Sequence, residues 1–224
     1  MKIIDHPSPN FDQRPEGMAI DMLVLHYTGM PSGGAALQRM CDAAAKVGCH
    51  YFIEEGGEVY RLVGEEFRAW HAGVSFWRGE TDINGRSIGI ELQNPGHEFG
   101  YRDFSEAQML ALEDLAADII GRHPIPPGNL VGHSDIAPAR KMDPGERFDW
   151  RRLAEKDIGL WPEPDSNAIP EGASAGGLLA ALGYSTTDVT AAVTAFQRRF
   201  RTQSIDGRAD AETLALMAAL VARS

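Results

Sequence analysis

Ala19-Ile20-Asp21-Met22-Leu23-Val24-Leu25 is too short for a core helix and too apolar for a surface strand, so it reads as a strand buried inside a sheet. It runs directly into His26-Tyr27-Thr28-Gly29, where polar side chains begin. Ser87-Ile88-Gly89-Ile90-Glu91-Leu92 repeats the pattern, with one carboxylate among apolar neighbours. Buried strands need cover on both faces, and the chain supplies helices for it. The strongest is expected from Glu106 to Gly121. Ser105 and Gln108 have capping-box spacing, Phe104 and Met109 form a hydrophobic staple, and Leu112, Leu115, Ala116, Ile119 and Ile120 line one face. A second helix is expected over 35–46, carrying Leu37, Met40 and Ala44 and closed by Gly48. Tyr51-Phe52-Ile53 and Val59-Tyr60-Arg61-Leu62-Val63 flank the Gly56-Gly57 pair, which signals a hairpin. The expected fold class is α/β, a central mixed β-sheet flanked by helices.

After Trp161 the chain changes character. Residues 163–175, rich in Pro, Gly and acidic groups, read as a linker between a domain over 1–162 and a second over 176–224. The second contains three helical patterns. The first carries Leu178, Leu179 and Leu182 and stops at Gly183. The next is capped by Thr187 or Asp188 and lines up Val189, Ala192, Val193, Phe196 and Phe200. The last is capped by Asp210 and carries Leu214, Met217, Ala218 and Val221. A small three-helix bundle is expected.

Lys and Arg number 21 against 32 Asp and Glu, a net charge of −11, which argues against a nucleic-acid partner. No run of about 18 apolar residues is present, so no membrane span is expected. Met1 to Pro9 has neither an apolar export core nor a cleavage signature, and the expected location is cytoplasmic, or the envelope if a native signal was removed. Two cysteines, Cys41 and Cys49, make neither a disulfide framework nor a four-thiolate metal site. Nucleophile-elbow, Walker and dinucleotide-binding glycine patterns are missing.

Four polar groups remain at or near the ends of apolar segments: His26, Glu91, His133 and, ten residues after His133, Asp143. Two imidazoles and a carboxylate with a fourth position open suit a catalytic zinc ion. A second carboxylate could take a proton from activated water, and a lysine could offset charge on a carbonyl oxygen. Spacing alone leaves the ordinary reading open, since histidines at strand ends are commonly satisfied structural residues.

Gly132-His133-Ser134-Asp135-Ile136-Ala137-Pro138-Ala139-Arg140-Lys141-Met142-Asp143-Pro144-Gly145 resembles the signature of zinc-dependent N-acetylmuramoyl-L-alanine amidases, which share the peptidoglycan recognition protein fold. His26-Tyr27-Thr28, Cys49-His50-Tyr51-Phe52-Ile53, Ala69-Trp70-His71-Ala72-Gly73, Ser87 to Leu92 and Phe148-Asp149-Trp150 match the same family in the same order. The likeness covers roughly residues 1–162. Leu182-Gly183-Tyr184, Val193 with Phe196-Gln197, and Asp206-Gly207 through Thr213-Leu214 resemble the peptidoglycan-binding repeat that one branch carries at its C-terminus. Asp210 replaces a usual glycine there, and Met142 a small polar residue in the amidase signature. The resemblance implies one zinc ion held by His26, His133 and Asp143, with Glu91 as general base and Lys141 as oxyanion stabiliser. It implies cleavage between N-acetylmuramic acid, including its 1,6-anhydro form, and L-alanine of the stem peptide, in cell-wall recycling or turnover. The expected partners are muropeptides or peptidoglycan. The alternative is a non-catalytic muropeptide-binding protein of the same fold, which typically lacks part of this metal set.

Other candidates have plainer readings beside them. His71 touches substrate, orients the site or packs in the core. Tyr27 and Trp77 line a sugar groove or are half-buried packing, and Asn84 and Arg86 are candidates for stem-peptide carboxylates. Asp135 reads as a loop-fixing residue, His50 as packing, Arg140 as solvated surface and His97 as a surface histidine.

Overall fold

A computed structural model describes residues 2–165 and 169–223. Its strands are β1 (Ile3–Asp5), β2 (Phe11–Gln13), β3 (Met22–Tyr27), β4 (Tyr51–Ile53), β5 (Val59–Arg61), β6 (Phe67–Ala69), β7 (Ser87–Leu92) and β8 (Leu130–Gly132). Its α-helices are α1 (Gly33–Cys41), α2 (Ile83–Arg86), α3 (Gly96–Phe99), α4 (Glu106–Arg122), α5 (His133–Ile136), α6 (Trp150–Ala154), α7 (Ala175–Leu182), α8 (Val189–Phe200) and α9 (Ala211–Val221). Six strands form one sheet in the order β1-β5-β4-β7-β3-β8, and β2 pairs with β6 beside it. The β4–β5 hairpin is antiparallel and the other pairings of the large sheet are parallel, so the sheet is mixed and flanked by helices.

Alternation along β3 and β7 sorts the core into layers. Leu23 and Leu25 of β3 and Ile88, Ile90 and Leu92 of β7 join Met109, Leu112, Leu115 and Ile119 of α4. Met22 and Val24 face the other way, into a cluster with Leu179, Phe196 and Met217 of the C-terminal helices. The bundle therefore shares a continuous core with the sheet. Residues 166–168 of the expected linker lie outside the described residues.

Local chemistry explains the boundaries. Ser105 Oγ accepts from Gln108 N while Gln108 Oε1 accepts from Ser105 N, the capping box read from the sequence. α1 stops at Cys41, short of the expected 46, because Asp42 turns extended and its carboxylate takes the Ala44 amide at 2.9 Å. Asp188 and Asp210 cap α8 and α9, and Gly183 ends α7 at φ 119°. Three-residue strands β1, β2, β6 and β8 were not expected. β3 begins later than expected and reaches Tyr27, carrying His26 inside the sheet.

His50, packed as expected, is fully buried just before β4. Its Nδ1 accepts from Gly89 N at 3.0 Å, so Nε2 carries the proton and donates to Phe67 O at 3.1 Å. Burial, and then the Arg14 guanidinium, lowers its pKa from 6.5 to about 3. The unfolded chain takes up a proton below pH 6.5 that the folded chain refuses until about 3, so folding is favoured above this window and weakened within it. Metal-free protein should lose about 1.4 kcal/mol per pH unit from this group as pH falls from about 6.5. The difference in chemical-denaturation stability between wild type and His50→Gln at stepped pH isolates the slope; a difference that holds flat or rises down to pH 5 contradicts it.

Candidate metal centre

The β3–β7 register pairs His26 with Glu91, so both side chains emerge on one sheet face at the same level. β8 delivers His133 as the first residue of α5, and the following loop returns Asp143. The Ser134 amide donates to the Asp143 carbonyl at 2.9 Å, tying the two segments together. His26 Nδ1, His133 Nδ1 and Asp143 Oδ2 lie 2.9–3.0 Å apart, and all three residues are buried.

The surrounding hydrogen bonds fix which nitrogens carry protons. Ser87 Oγ donates to the Ile83 carbonyl at 2.6 Å, so it accepts from His71 Nε2 at 3.1 Å. His71 Nδ1 then accepts from His26 Nε2 at 3.1 Å, leaving the His26 Nδ1 lone pair facing the cluster. His133 Nε2 donates to the Ala72 carbonyl at 3.0 Å, which leaves its Nδ1 as an acceptor too. Three acceptors thus converge with no donor among them, an arrangement that a cation stabilises. These atoms are the group among the described residues that could hold a metal ion. Burial and then His133 lower the His26 pKa to about 4, so its imidazole is neutral at pH 7 as a ligand requires.

Glu91 Oε2 is buried without a hydrogen-bond partner. Burial, and then Asp143, push its pKa well above the carboxylate range, with Lys141 pulling the other way. Glu91, Lys141, His133 and Asp143 line one cleft of about 550 Å³, whose lining also includes Tyr27, Arg39, His71, Phe99 and Arg140.

His71 lies beneath His26 and orients it. Gly89 makes this possible, because a side chain there would collide with the His71 ring. Tyr27 stands on the cleft wall, bonded to His97 Nδ1 at 2.9 Å. Three expected substrate-binding residues are placed elsewhere. Trp77 is buried against Tyr184 and donates to Asn129 Oδ1. Asn84 is buried with Oδ1 accepting from the His71 and Ala72 amides. Arg86 pairs with Asp21 at the opposite end of β7 from Glu91. The sugar-groove and carboxylate expectations for these three are corrected accordingly. Arg140 is exposed, as expected, and donates to the carbonyls of Ala72 and Val74 at the cleft edge. Arg39 and Phe99 were missed, and no local pattern marks them.

Comparison with known proteins agrees with this geometry. The family model described as N-acetylmuramoyl-L-alanine amidase matches residues 16–146, and one described as a peptidoglycan binding domain matches 174–217. N-acetylmuramoyl-L-alanine amidase AmiD of Escherichia coli K12 is 38% identical over 98% of this chain and 90% of its own length. The 1,6-anhydro-N-acetylmuramyl-L-alanine amidase AmpD of Haemophilus influenzae is 36% identical over 65% of this chain and 86% of its own. The solved complex of E. coli AmiD with the substrate anhydro-N-acetylmuramic acid-L-Ala-D-γ-Glu-L-Lys superposes with TM-score 0.83 at 36% identity, covering 94% of this chain and 93% of that one. Among the described residues no helix is long and apolar enough to cross a membrane.

Proposed function

Because the chain belongs to the N-acetylmuramoyl-L-alanine amidase family and carries its activity, we propose that it hydrolyses the muramyl–L-alanine amide, the 1,6-anhydro form included, at a zinc centre made by His26, His133 and Asp143. The observation that carries this is the donor-free convergence of three acceptors on the face that also presents Glu91. Two imidazoles and one carboxylate would suit zinc in charge and softness. A bound zinc ion supplies Lewis acidity to the amide carbonyl and to water. Glu91 Oε2 has no competing partner, so it receives the proton of the attacking water and passes it to the departing L-alanine nitrogen. The Lys141 ammonium offsets the negative charge that grows on the carbonyl oxygen. The bundle over 176–224 is proposed to hold peptidoglycan, with the match over 174–217 in support.

Mass spectrometry of a defined anhydromuramyl tetrapeptide incubated with the protein tests the reading. The expected products are anhydro-N-acetylmuramic acid and an intact peptide beginning with L-alanine, and dipicolinic acid should abolish them. Cleavage at another bond, or full turnover in metal-stripped protein, overturns it.

A further inference from the structure

Two consecutive arginines of α8 reach the two segments that carry His133 and Asp143. Arg199 donates from Nη1 to Asp135 Oδ2 at 2.7 Å and from Nη2 to the Leu130 carbonyl at 3.0 Å, with its guanidinium 3.9 Å over the Trp150 ring. Arg198 Nε lies 3.8 Å from Glu146, in the loop just after Asp143. Asp135 is fully buried, and its other partners are the Tyr184 hydroxyl at 2.6 Å and the Gly132 amide at 2.8 Å. Asp135 is therefore a junction. One bond fixes the turn that begins α5, and two come from the C-terminal bundle.

A buried carboxylate is tolerated only when it is paired and hydrogen-bonded. Among the described residues of the amidase domain Asp135 has the Gly132 amide alone; the balancing charge is Arg199. Without it, the carboxylate would draw toward water and take the turn at 132–135 with it. His133 sits inside that turn, and Ser134 N holds the Asp143 carbonyl. We propose that the bundle, through Tyr184 and Arg199 acting on Asp135, positions His133, making it a working part of the metal centre in addition to any hold on the wall. This rests on the reading of His133 as a metal ligand. Arg199 and Tyr184 are positioning residues: neither lines the cleft.

The test uses the full chain with Arg199→Lys, which keeps the charge and loses the planar fork that serves two acceptors at once. Leu216→Ala, in the bundle core and remote from Asp135 in the chain, is the control for general destabilisation. Amide hydrogen exchange on metal-free protein reads the 132–136 segment, and chelator competition reads zinc affinity. Arg199→Lys should speed exchange at 132–136 at least several-fold and weaken zinc by about tenfold. Leu216→Ala should leave both near wild type at a comparable loss of melting temperature. Unchanged exchange in Arg199→Lys, or equal changes in both variants, overturns the proposal. Wild-type protein that binds no zinc would defeat the metal reading, while the exchange comparison would still decide the coupling. If Arg199→Lys does not fold, Tyr184→Phe removes a single hydroxyl from the same carboxylate and is read in the same way.

Discussion

Glu91→Gln should retain the metal and lose about 10²- to 10⁴-fold in kcat, with KM close to wild type. The amide has the shape of the carboxyl group and none of its basicity, so the substitution removes proton transfer and little else. Glu91 is suited to the role because nothing else claims its buried Oε2. That isolation has a cost. Burial and Asp143 raise the folded pKa above the unfolded value of 4.5, so above pH 4.5 the ionised carboxylate works against folding of the metal-free chain. Glu91→Gln should therefore raise the melting temperature of metal-free protein while it abolishes turnover, a combination that accidental damage to the fold does not produce. Steady-state kinetics, zinc content and a thermal melt on one preparation check all three parts. A kcat near wild type would remove Glu91 from its assigned role.

The strands that carry chemistry were legible because burial on both faces demands apolar residues. A polar group in such a run, as at Glu91, or directly after one, as at His26, stands out. Their pairing in register was not legible, since nothing local says which strands are neighbours; β3 and β7 are separated in sequence by two helices, a hairpin and β6. Strands β2 and β6 were invisible for a different reason. Phe11-Asp12-Gln13 is mostly exposed and pairs along only three residues, too few for alternation to register. Trp77 misled because an aromatic residue in a polar loop looks like surface, and its burial depends on Tyr184, more than a hundred residues later. The role of His71 did leave a trace. Gly89 sits on the same face of β7 as Ser87 and Glu91, and a glycine in the middle of a buried strand signals that something lies close over it. Asp135 as a loop-fixing residue was half the story: the bond to Gly132 is local, whereas those to Tyr184 and Arg199 exist only once the bundle has docked.

His133→Ala should lose bound metal and activity together, which separates a ligand from a base. Removing an outer partner of a metal ligand costs about 10- to 100-fold in affinity, and removing a ligand itself should exceed that. Zinc content after dialysis is expected to fall from one ion per chain to background, with hydrolysis following it. The fold should survive, because the lost imidazole has a single protein acceptor, the Ala72 carbonyl, which Arg140 Nη2 also serves at 2.9 Å. In the metal-free state the substitution also takes away one of three acceptors that crowd one another, so the melting temperature should drop less than for a typical buried truncation. The decisive contrast is between the two variants: Glu91→Gln inactive with zinc present, His133→Ala inactive with zinc gone. A His133→Ala protein that keeps one zinc per chain would mean that the ion sits elsewhere, and the convergent lone pairs of His26 and His133 would then need another explanation.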